Sequence, residues 1–595
     1  DVLYDTVLEV DERIAADGQT LLPLTEPICT SLINELQQLK PDAIAVSLLN
    51  AYRNPTHEHQ LQKALTQAGF RYITLSTDTS VTPQYVSRTQ TAIVDAYLTP
   101  VMRSYLDNVQ QQLGGNPVRI MTSSGGLVRA DLFQPKDSLL SGPAGGVIGA
   151  ADIGDQLHTT RSTVGMLTLD MGGTSTDVAR IQNGLDYRFS TKIGPFDLQL
   201  PALAIETVAA GGGSICWFES HGATSGQLRV GPHSAGANPG PACYGAGGPL
   251  TITDVNLLLG KLHPKQFGIP VFPEKAQAAL EVVLHQVEQK TGSQTDSFNL
   301  LRGCEQIANE TMAGAIRKIS VSRGFDPKDY SLLVFGGAGG LHGCAIARLL
   351  GIEQLILPFD GGLLSAYGIG QAQIERLASR SVLQPLATVE HELPAIVSSL
   401  TDTATETLRQ DVGQQVAVET KAITVFLRLL GQEATVDVPL SDHLEADFRD
   451  KYQHLYGHFP QNRSIEVESV RVMVSTTSPH QVIHSALVSH RHAVPTFATD
   501  AYPAYDWTKL QEGDTFRGPA LLLNTTSSSF IEPGWRVIVQ ANKNALVDYI
   551  ADYEEDISTN FQEQTNVDSK QEKGKHASEV IQLELFTQRF RAIAE

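Results

Sequence analysis

From residue 1 to roughly 160, short apolar runs alternate with stretches of helical spacing. AIAVSLLN (43–50) and VRIMTSS (118–124) have strand character and end near turn residues. Between them, HEHQLQKALTQAG and TAIVDAYLTPVMRSYLDNVQQQL carry the spacing of helices. Strands alternating with helices predict a parallel or mixed α/β sheet. The pattern returns in the middle of the chain. MLTLDMGGTSTDVA reads as a strand, a glycine turn and a second strand; residues 274–291 and 296–323 read as helices; YSLLVF (330–335) reads as a buried strand entering FGGAGGLHG. Residues 201–250 are rich in Gly and Pro with few periodic runs, which predicts loops at a site rather than a core layer. From about 380 to 550 the texture turns to strand-like alternation, as in AITVFLRLL, EATVDVPL, VESVRVMVS and WRVIVQA, and predicts a separate strand-rich domain. Residues 551–578 are polar, nearly free of large aliphatics, and read as a linker. EVIQLELFTQRFRAIAE after them places Leu585, Phe590 and Ile593 near helical spacing.

Length changes this picture only by requiring several domains, because 595 residues exceed what one core supports. Charge excludes more. With 44 basic against 65 acidic side chains the formal net charge is −21, which repels nucleic acid and anionic membrane surfaces. A local pocket can still take a nucleotide through backbone amides and Mg²⁺. The five cysteines (Cys29, Cys216, Cys243, Cys304, Cys344) include no CxxC pair, so neither a disulfide framework nor a thiolate zinc site is expected. Buried free thiols in a reducing, cytoplasmic setting are expected instead. A catalytic role for Cys243 has no neighbouring base in the sequence. No run of about 18 apolar residues occurs, and the opening DVLYDTVLEVDERI lacks the features of a signal peptide. It starts inside a strand-like run, and the expectation is a piece of a longer polypeptide.

The strongest chemical signal is Asp170-Met171-Gly172-Gly173-Thr174-Ser175-Thr176-Asp177. An apolar strand delivers an acid, two glycines and three hydroxyls. Glycines let backbone N–H groups close on an anion, hydroxyls add hydrogen bonds, and Asp170 is placed to hold Mg²⁺ directly or through water. A plain β-hairpin has the same Gly-Gly signature. The second signal, Gly336-Gly337-Ala338-Gly339-Gly340-Leu341-His342-Gly343, follows a strand and opens a helix. That is a nucleotide contact or simply tight strand–helix packing. It is not a strict GxGxxG, and no GxxxxGK[ST] occurs. Gly211-Gly212-Gly213 and GPACYGAGGP are further glycine-rich segments. HExxH and GxSxG motifs are absent. His342 stands out among the histidines by its place in a glycine loop, where capping, packing and catalysis are all open readings. His484, His490 and His492 read as a solvated surface group.

Taken together, these segments resemble the hydantoinase A/5-oxoprolinase family. The resemblance is carried by VLEVDERI (7–14), RTQTAIVDAYL (88–98), MTSSGGL (121–127), LLSGPAGGVIGA (139–150), LDMGGTSTDVA (169–179) and TVAAGGGSI (207–215). It continues through the long block 229–262, ANETMAGAIRKISVSRGFDPKDY (308–330), FGGAGGLHGCAIARLLG (335–351) and DGGLLSAYGI (360–369). It implies an α/β fold of the actin-like ATPase (ribonuclease H-like) kind, with duplicated domains and a C-terminal β-rich domain. The implied division is 1–160 (remainder of a first actin-like domain), 161–380 (second actin-like domain), 381–550 (β-rich), 551–578 (linker) and 579–595 (start of a hydantoinase B-like half). The family's first phosphate loop, an Asp-Gly-Gly-Thr strand–turn–strand, is not among these residues.

Residue by residue, the resemblance makes Asp170, Gly172, Gly173, Thr174 and Ser175 the second phosphate loop, with Asp170 catalytic and the Mg²⁺ ligand. Gly336, Gly337, Gly339 and Gly340 become the nucleoside-side loop, and Gly211, Gly212 and Gly213 line the cleft. The turns at 170–174 and 336–340 are expected to converge across that cleft on ATP. Where many relatives have Asp-Ile-His before the triple glycine, this chain has Ala204-Ile205-Glu206. The implied activity is ATP-dependent opening of a cyclic amide, 5-oxo-L-proline to L-glutamate, in the cytoplasm and in glutathione metabolism. This chain would be the substrate-phosphorylating half, weakly active or inactive without its hydantoinase B-like partner, and a homo-oligomer. An N-methylhydantoinase, a ketone carboxylase subunit and a non-catalytic nucleotide-binding scaffold are the alternatives.

Overall fold

Residues 166–171 are almost continuously apolar, the pattern of a strand buried on both faces. In the computed structural model they form β1 (Met166–Met171), an interior strand of a nine-stranded sheet. The structure describes residues 2–156, 163–221, 225–264, 267–292, 295–477, 490–498, 501–550 and 581–589. β1 turns back through residues 172–175 into antiparallel β2 (Thr176–Ile181), which pairs with β3 (Glu206–Val208). A hairpin follows, β4 (Ser214–His221) with β5 (Ser225–Ser234). On the other side of β1 lie parallel β6 (Ser331–Phe335) and β7 (Gln354–Leu357). β8 (Arg491–His492), β9 (Asp514–Arg517), β10 (Trp535–Val539) and β11 (Ala545–Tyr549) complete the order β3-β2-β1-β6-β7-β11-β10-β9-β8.

Period-two alternation sends opposite faces of β6 into different layers. Leu332 and Val334 join a core with Leu167 and Leu169 under α2 (Ile252–Leu258), α3 (Pro273–Thr291), α4 (Ser297–Ile319) and α5 (Gly343–Leu350). Leu333 and Phe335 face Ala150 and Ile153 of α1 (Ser141–Gln156). The run GPAGGVIGA makes that second contact close. A Cβ on Gly146 would lie 2.7 Å from the Phe335 ring, and one on Gly149 would lie 2.8 Å from the Leu364 carbonyl oxygen. A last helix, α6 (residues 581–589), packs Ile581 and Leu585 against the first of these cores.

By its internal contacts the chain forms two units. One comprises Gly145–Asp186, Ala204–Gln371 and Gln481–Glu595 and holds all the labelled strands. The other comprises Asp1–Ala144, Tyr187–Leu203 and Ala372–His480. Its largest sheet is antiparallel, in the order Glu375–Pro385, Ile465–Thr476, Val418–Leu429, Val436–Pro439, with Leu400 and Leu408 of helix Leu393–Val412 in its core. In the same unit, helices Glu26–Leu39 and Thr56–Gln67 pack against the parallel pair Ile44–Val46 and Ile73–Leu75.

This division differs from the consecutive blocks 1–160, 161–380 and 381–550. β8–β11 are absorbed into the large sheet, whereas strands 375–476 build their own, because pairing partners are chosen by long-range register that local periodicity does not encode. Residues 201–250 also depart from the loop expectation. Cys216, Phe218 and Leu228 of the hairpin are buried. The linker 551–578 lies outside the described residues, as do His484, residues 579–580 and residues 590–595. Among the described residues no helix is long and apolar enough to cross a membrane.

Candidate functional site

Asp170 sits one residue before the end of β1, directly opposite Phe335 of parallel β6. The two glycine turns therefore leave neighbouring strands at the same level and meet edge to edge. The Ala338 N–H donates to the Met171 carbonyl at 3.2 Å. Gly336 has φ +81°, and a Cβ there would lie 2.4 Å from the Met171 carbonyl oxygen and 2.5 Å from Asp170 Oδ1, so only glycine fits. The two turns are thus in direct backbone contact.

The third loop closes on the first from the other side. Gly212 N–H donates to the Gly172 carbonyl at 3.0 Å and Gly213 N–H to the Gly173 carbonyl at 2.6 Å. A Cβ on Gly211 would come 2.7 Å from Thr174 N. Thr253 then holds Gly212: its N–H and its hydroxyl both donate to the Gly212 carbonyl, at 2.8 and 2.9 Å. Thus 172–175, 211–213 and 336–338 form one backbone assembly at the ends of β1 and β6.

The twelve residues expected at the site fall into different roles. Gly211, Gly212, Gly213, Gly339 and Gly340 are buried, and a Cβ on Gly340 would strike Ser529. They make close packing possible. Gly172 closes the turn, its N–H donating to the Ser175 carbonyl at 3.0 Å, and the Gly336 N–H is taken by the Gly361 carbonyl. Gly173, Thr174 and Gly337 are exposed. Among the described residues their backbone N–H groups engage no acceptor. The assembly therefore presents unspent donors on exposed backbone beside a carboxylate.

That carboxylate is electrostatically unsatisfied. Burial, and then the charge of Asp177 opposite it on β2, push the Asp170 pKa up from 3.8 to about 7. Among the described residues no hydrogen bond or ion pair engages the Asp170 side chain, so nothing of the chain's own stabilises its anion. Asp177 is raised too, chiefly by burial, and receives the Thr207 hydroxyl at 2.5 Å. Two acids facing one another across a hairpin, on the assembly that carries those N–H groups, leave negative charge that a cation would offset. Among the described residues no cluster of three His, Cys, Asp or Glu side chains forms a ready metal cage. A hard cation at Asp170 would need oxygens from a ligand and water.

Other candidates resolve as supports. His342 is fully buried, with Nδ1 2.7 Å from Asn309 Oδ1 and Nε2 3.0 Å from Asn256 Nδ2. Burial lowers its pKa to about 4, so it is a neutral packing residue. Nearby, buried Lys261 pairs with buried Glu305, which also accepts from Arg302 at 2.7 Å. Cys243 is buried, and desolvation plus the Asp254 charge hold its thiol far above the ordinary range, which removes it as a nucleophile. All five cysteines are free and buried, as expected. Glu206, at the departure from Asp-Ile-His, pairs with Lys318 at 2.5 Å.

Thr207, Asp254 and Asn309 were not singled out from sequence, and Asp177 was named only as the end of the acid–glycine segment, without a role. Only Asp254 had a legible signal, the capping box Thr251-x-x-Asp254. Its carboxylate also accepts from Ala242 N at 3.1 Å and Cys243 N at 2.7 Å, fastening the GPACYG loop.

Known proteins share this arrangement of sequence and fold. The profile of the hydantoinase/oxoprolinase family matches residues 88–377, and that of its N-terminal region matches residues 1–69. 5-Oxoprolinase PfmaA of Pestalotiopsis fici is 31% identical, the match covering 100% of this chain and 49% of the relative. 5-Oxoprolinase 1 of Arabidopsis thaliana gives the same three figures, 31%, 100% and 49%. The chain spans about half the length of the curated relatives it matches. Among solved structures, the ATP-dependent caprolactamase of Pseudomonas jessenii superposes with a TM-score of 0.77 at 25% identity, over 90% of this chain and 81% of that one. A nucleotide-free acetone carboxylase gives 0.69 at 20% identity over 91% and 81%, a likeness of fold.

Proposed function

The chain belongs to the hydantoinase/oxoprolinase family, and on that premise we propose that it is the ATP-using half of a cyclic-amide hydrolase whose substrate is 5-oxo-L-proline. The observation that carries the reading is the conjunction at β1 and β6. Unspent N–H groups of Gly173, Thr174 and Gly337 lie on the same turns as a carboxylate that has no counter-charge among the described residues. The donors suit phosphate oxygens, and Asp170 suits the divalent cation that accompanies them.

A lactam is resonance-stabilised and its nitrogen is a poor leaving group. Attack of the lactam oxygen on the γ-phosphorus of ATP, with departure of ADP, turns the carbonyl carbon into an electrophile. Water adds there, the ring C–N bond breaks to give an acyl phosphate, and a second water releases phosphate and L-glutamate. This chain's share is the first step: the glycine turns hold the γ-phosphate in line, and their N–H groups neutralise charge spread over its oxygens. Mg²⁺ held through Asp170 would supply the remaining positive charge. The ring-opening steps fall to a hydantoinase B-like half. The buried free thiols and the product glutamate suit a cytoplasmic place in glutathione metabolism.

The test supplies the second half, ATP, Mg²⁺ and 5-oxoproline, and measures glutamate and ADP. Expected is glutamate formation that needs ATP and is lost in Asp170→Asn. ATP-dependent turnover of a hydantoin with no glutamate from 5-oxoproline would replace the substrate, and unchanged ADP release in Asp170→Asn would favour a scaffold.

A further inference from the structure

α6 is short and follows β11 only after 31 residues, yet it is fixed at four points along one face. Ile581 covers Gly303 of α4, where a Cβ would come 2.5 Å from Ile581 Cδ1. Glu584 is only 1% exposed and accepts from Gln227 Nε2 and, at 2.8 Å, from Arg229 Nη1 of β5. Leu585 enters the core, and Arg589 lies 3.4 Å from buried Glu310 of α4. A carboxylate is buried at such a junction only where specific donors meet it, so the groove between the β4–β5 hairpin and α4 is built for this helix.

The same hairpin is rooted in the glycine assembly. β4 begins at the residue after Gly213, Ser214 pairs with Ser234, and Ala235 N–H donates to the Gly213 carbonyl at 2.9 Å. Gly213 N–H in turn holds the Gly173 carbonyl. A displacement of the Asp170 turn therefore reaches Arg229 and Glu584 through one hydrogen-bonded ribbon.

We propose that this groove is the docking surface between the two halves of the enzyme, occupied by α6 as the first helix of the second half, and that the hairpin couples its seating to nucleotide at the Gly173 turn. The proposal rests on the assignment of 579–595 to the hydantoinase B-like half. Its test does not depend on the substrate. In the full chain, Gly303→Cys with Ile581→Cys places two Cβ atoms within the roughly 3.5–4.5 Å of a disulfide. Mild oxidation should give the 303–581 bridge, mapped by peptide mass spectrometry, and Mg-ATP should change its rate of formation by about fivefold or more. Adding Asp170→Asn should abolish that change. No bridge, or a bridge whose rate ignores nucleotide, overturns the proposal. Should the double variant not fold, Glu584→Ala replaces it: hydrogen exchange in β4 and β5 should quicken, and unchanged exchange overturns the proposal equally. A chain that bridges with nucleotide dependence but opens no 5-oxoproline would instead indict the substrate assignment.

Discussion

Replacing Asp170 by asparagine keeps the shape and removes the charge, and its effect on stability has the opposite sign to its effect on function. The carboxyl titrates near 3.8 in the unfolded chain and about 7 in the folded one. An acid whose folded pKa is raised holds its proton more tightly when folded, so its contribution is fully present below 3.8 and is lost as pH rises through 7. A shift of about 3 units at 1.36 kcal/mol each makes the ionised side chain cost about 4 kcal/mol above neutrality, as a ceiling. The asparagine amide has no charge to bury. Asp170→Asn should therefore be more stable than the parent by up to about 4 kcal/mol near pH 8.5, shrinking to about 2 near pH 5. The difference between the two proteins isolates Asp170 together with the partner it repels, Asp177, because His342 and the titrating groups outside that pair cancel. All three tryptophans (Trp217, Trp507, Trp535) lie in the unit that carries Asp170, so urea unfolding followed by tryptophan fluorescence, with chelator present, reads the relevant transition. Adding Mg-ATP should then stabilise the parent more than the variant, by mass action on the folded state. A variant less stable than the parent at high pH, or a difference independent of pH, would refute the claim that this carboxylate lacks an internal counter-charge.

Gly336→Ala must place a Cβ against Met171 and Asp170 at φ +81°, so it should lose about 2 kcal/mol or more on unfolding and bind nucleotide poorly. Gly173→Ala and Gly337→Ala meet nothing within 4 Å and have no positive φ; calorimetry should find weakened ATP binding with an unchanged melting temperature, and unaltered affinity would remove those N–H groups from the site. His342→Leu strands the amides of Asn256 and Asn309 and should cost about 2–4 kcal/mol by denaturant titration. The wild-type imidazole, titrating at about 4 instead of 6.5, gives stability that is lost as pH falls between those values, a slope absent from the variant. Lys261→Met leaves buried Glu305 with Arg302 as its one remaining ion-pair partner among the described residues, and an unfolding penalty of about 3 kcal/mol is expected.

What could be read from the sequence was local. β1, the 172–175 turn, β2, α3, α4 and β6 follow from apolar runs punctuated by glycine, where period and turn chemistry agree. The three glycine clusters were legible as clusters, but their partition was not. Gly173 and Gly212 look alike in sequence; one keeps its N–H free, and the other gives it to Gly172, because β3 delivers the 211–213 loop back against the first turn. The pairing of Asp177 with Thr207 likewise depends on β2–β3 register. Partition of residues 381–550 between two units failed to show for the same reason: alternation marks a strand and says nothing of its neighbour.

Those internally spent glycines explain why the site can keep its exposed donors. Backbone N–H groups left unpaired are stable only on a scaffold that does not relax toward them, and the scaffold here is other glycine backbone packed at distances no side chain permits: Gly211 on Thr174, Gly336 on Met171, Gly340 on Ser529. The open turn is thus held from both sides before any ligand arrives, and under the proposed function a phosphate would meet donors already in place, which is what in-line transfer requires. The same rigidity makes the Asp170 charge expensive while the site is empty, since neither turn can swing a counter-charge toward it. On the proposed reading, a cation–phosphate pair would relieve that penalty and fill the donors in one event. Selectivity for a metal-bound nucleotide over either component alone would then follow from the Asp170 charge held on this rigid backbone, and measured affinities for ATP with and without Mg²⁺ should differ far more in the parent than in Asp170→Asn.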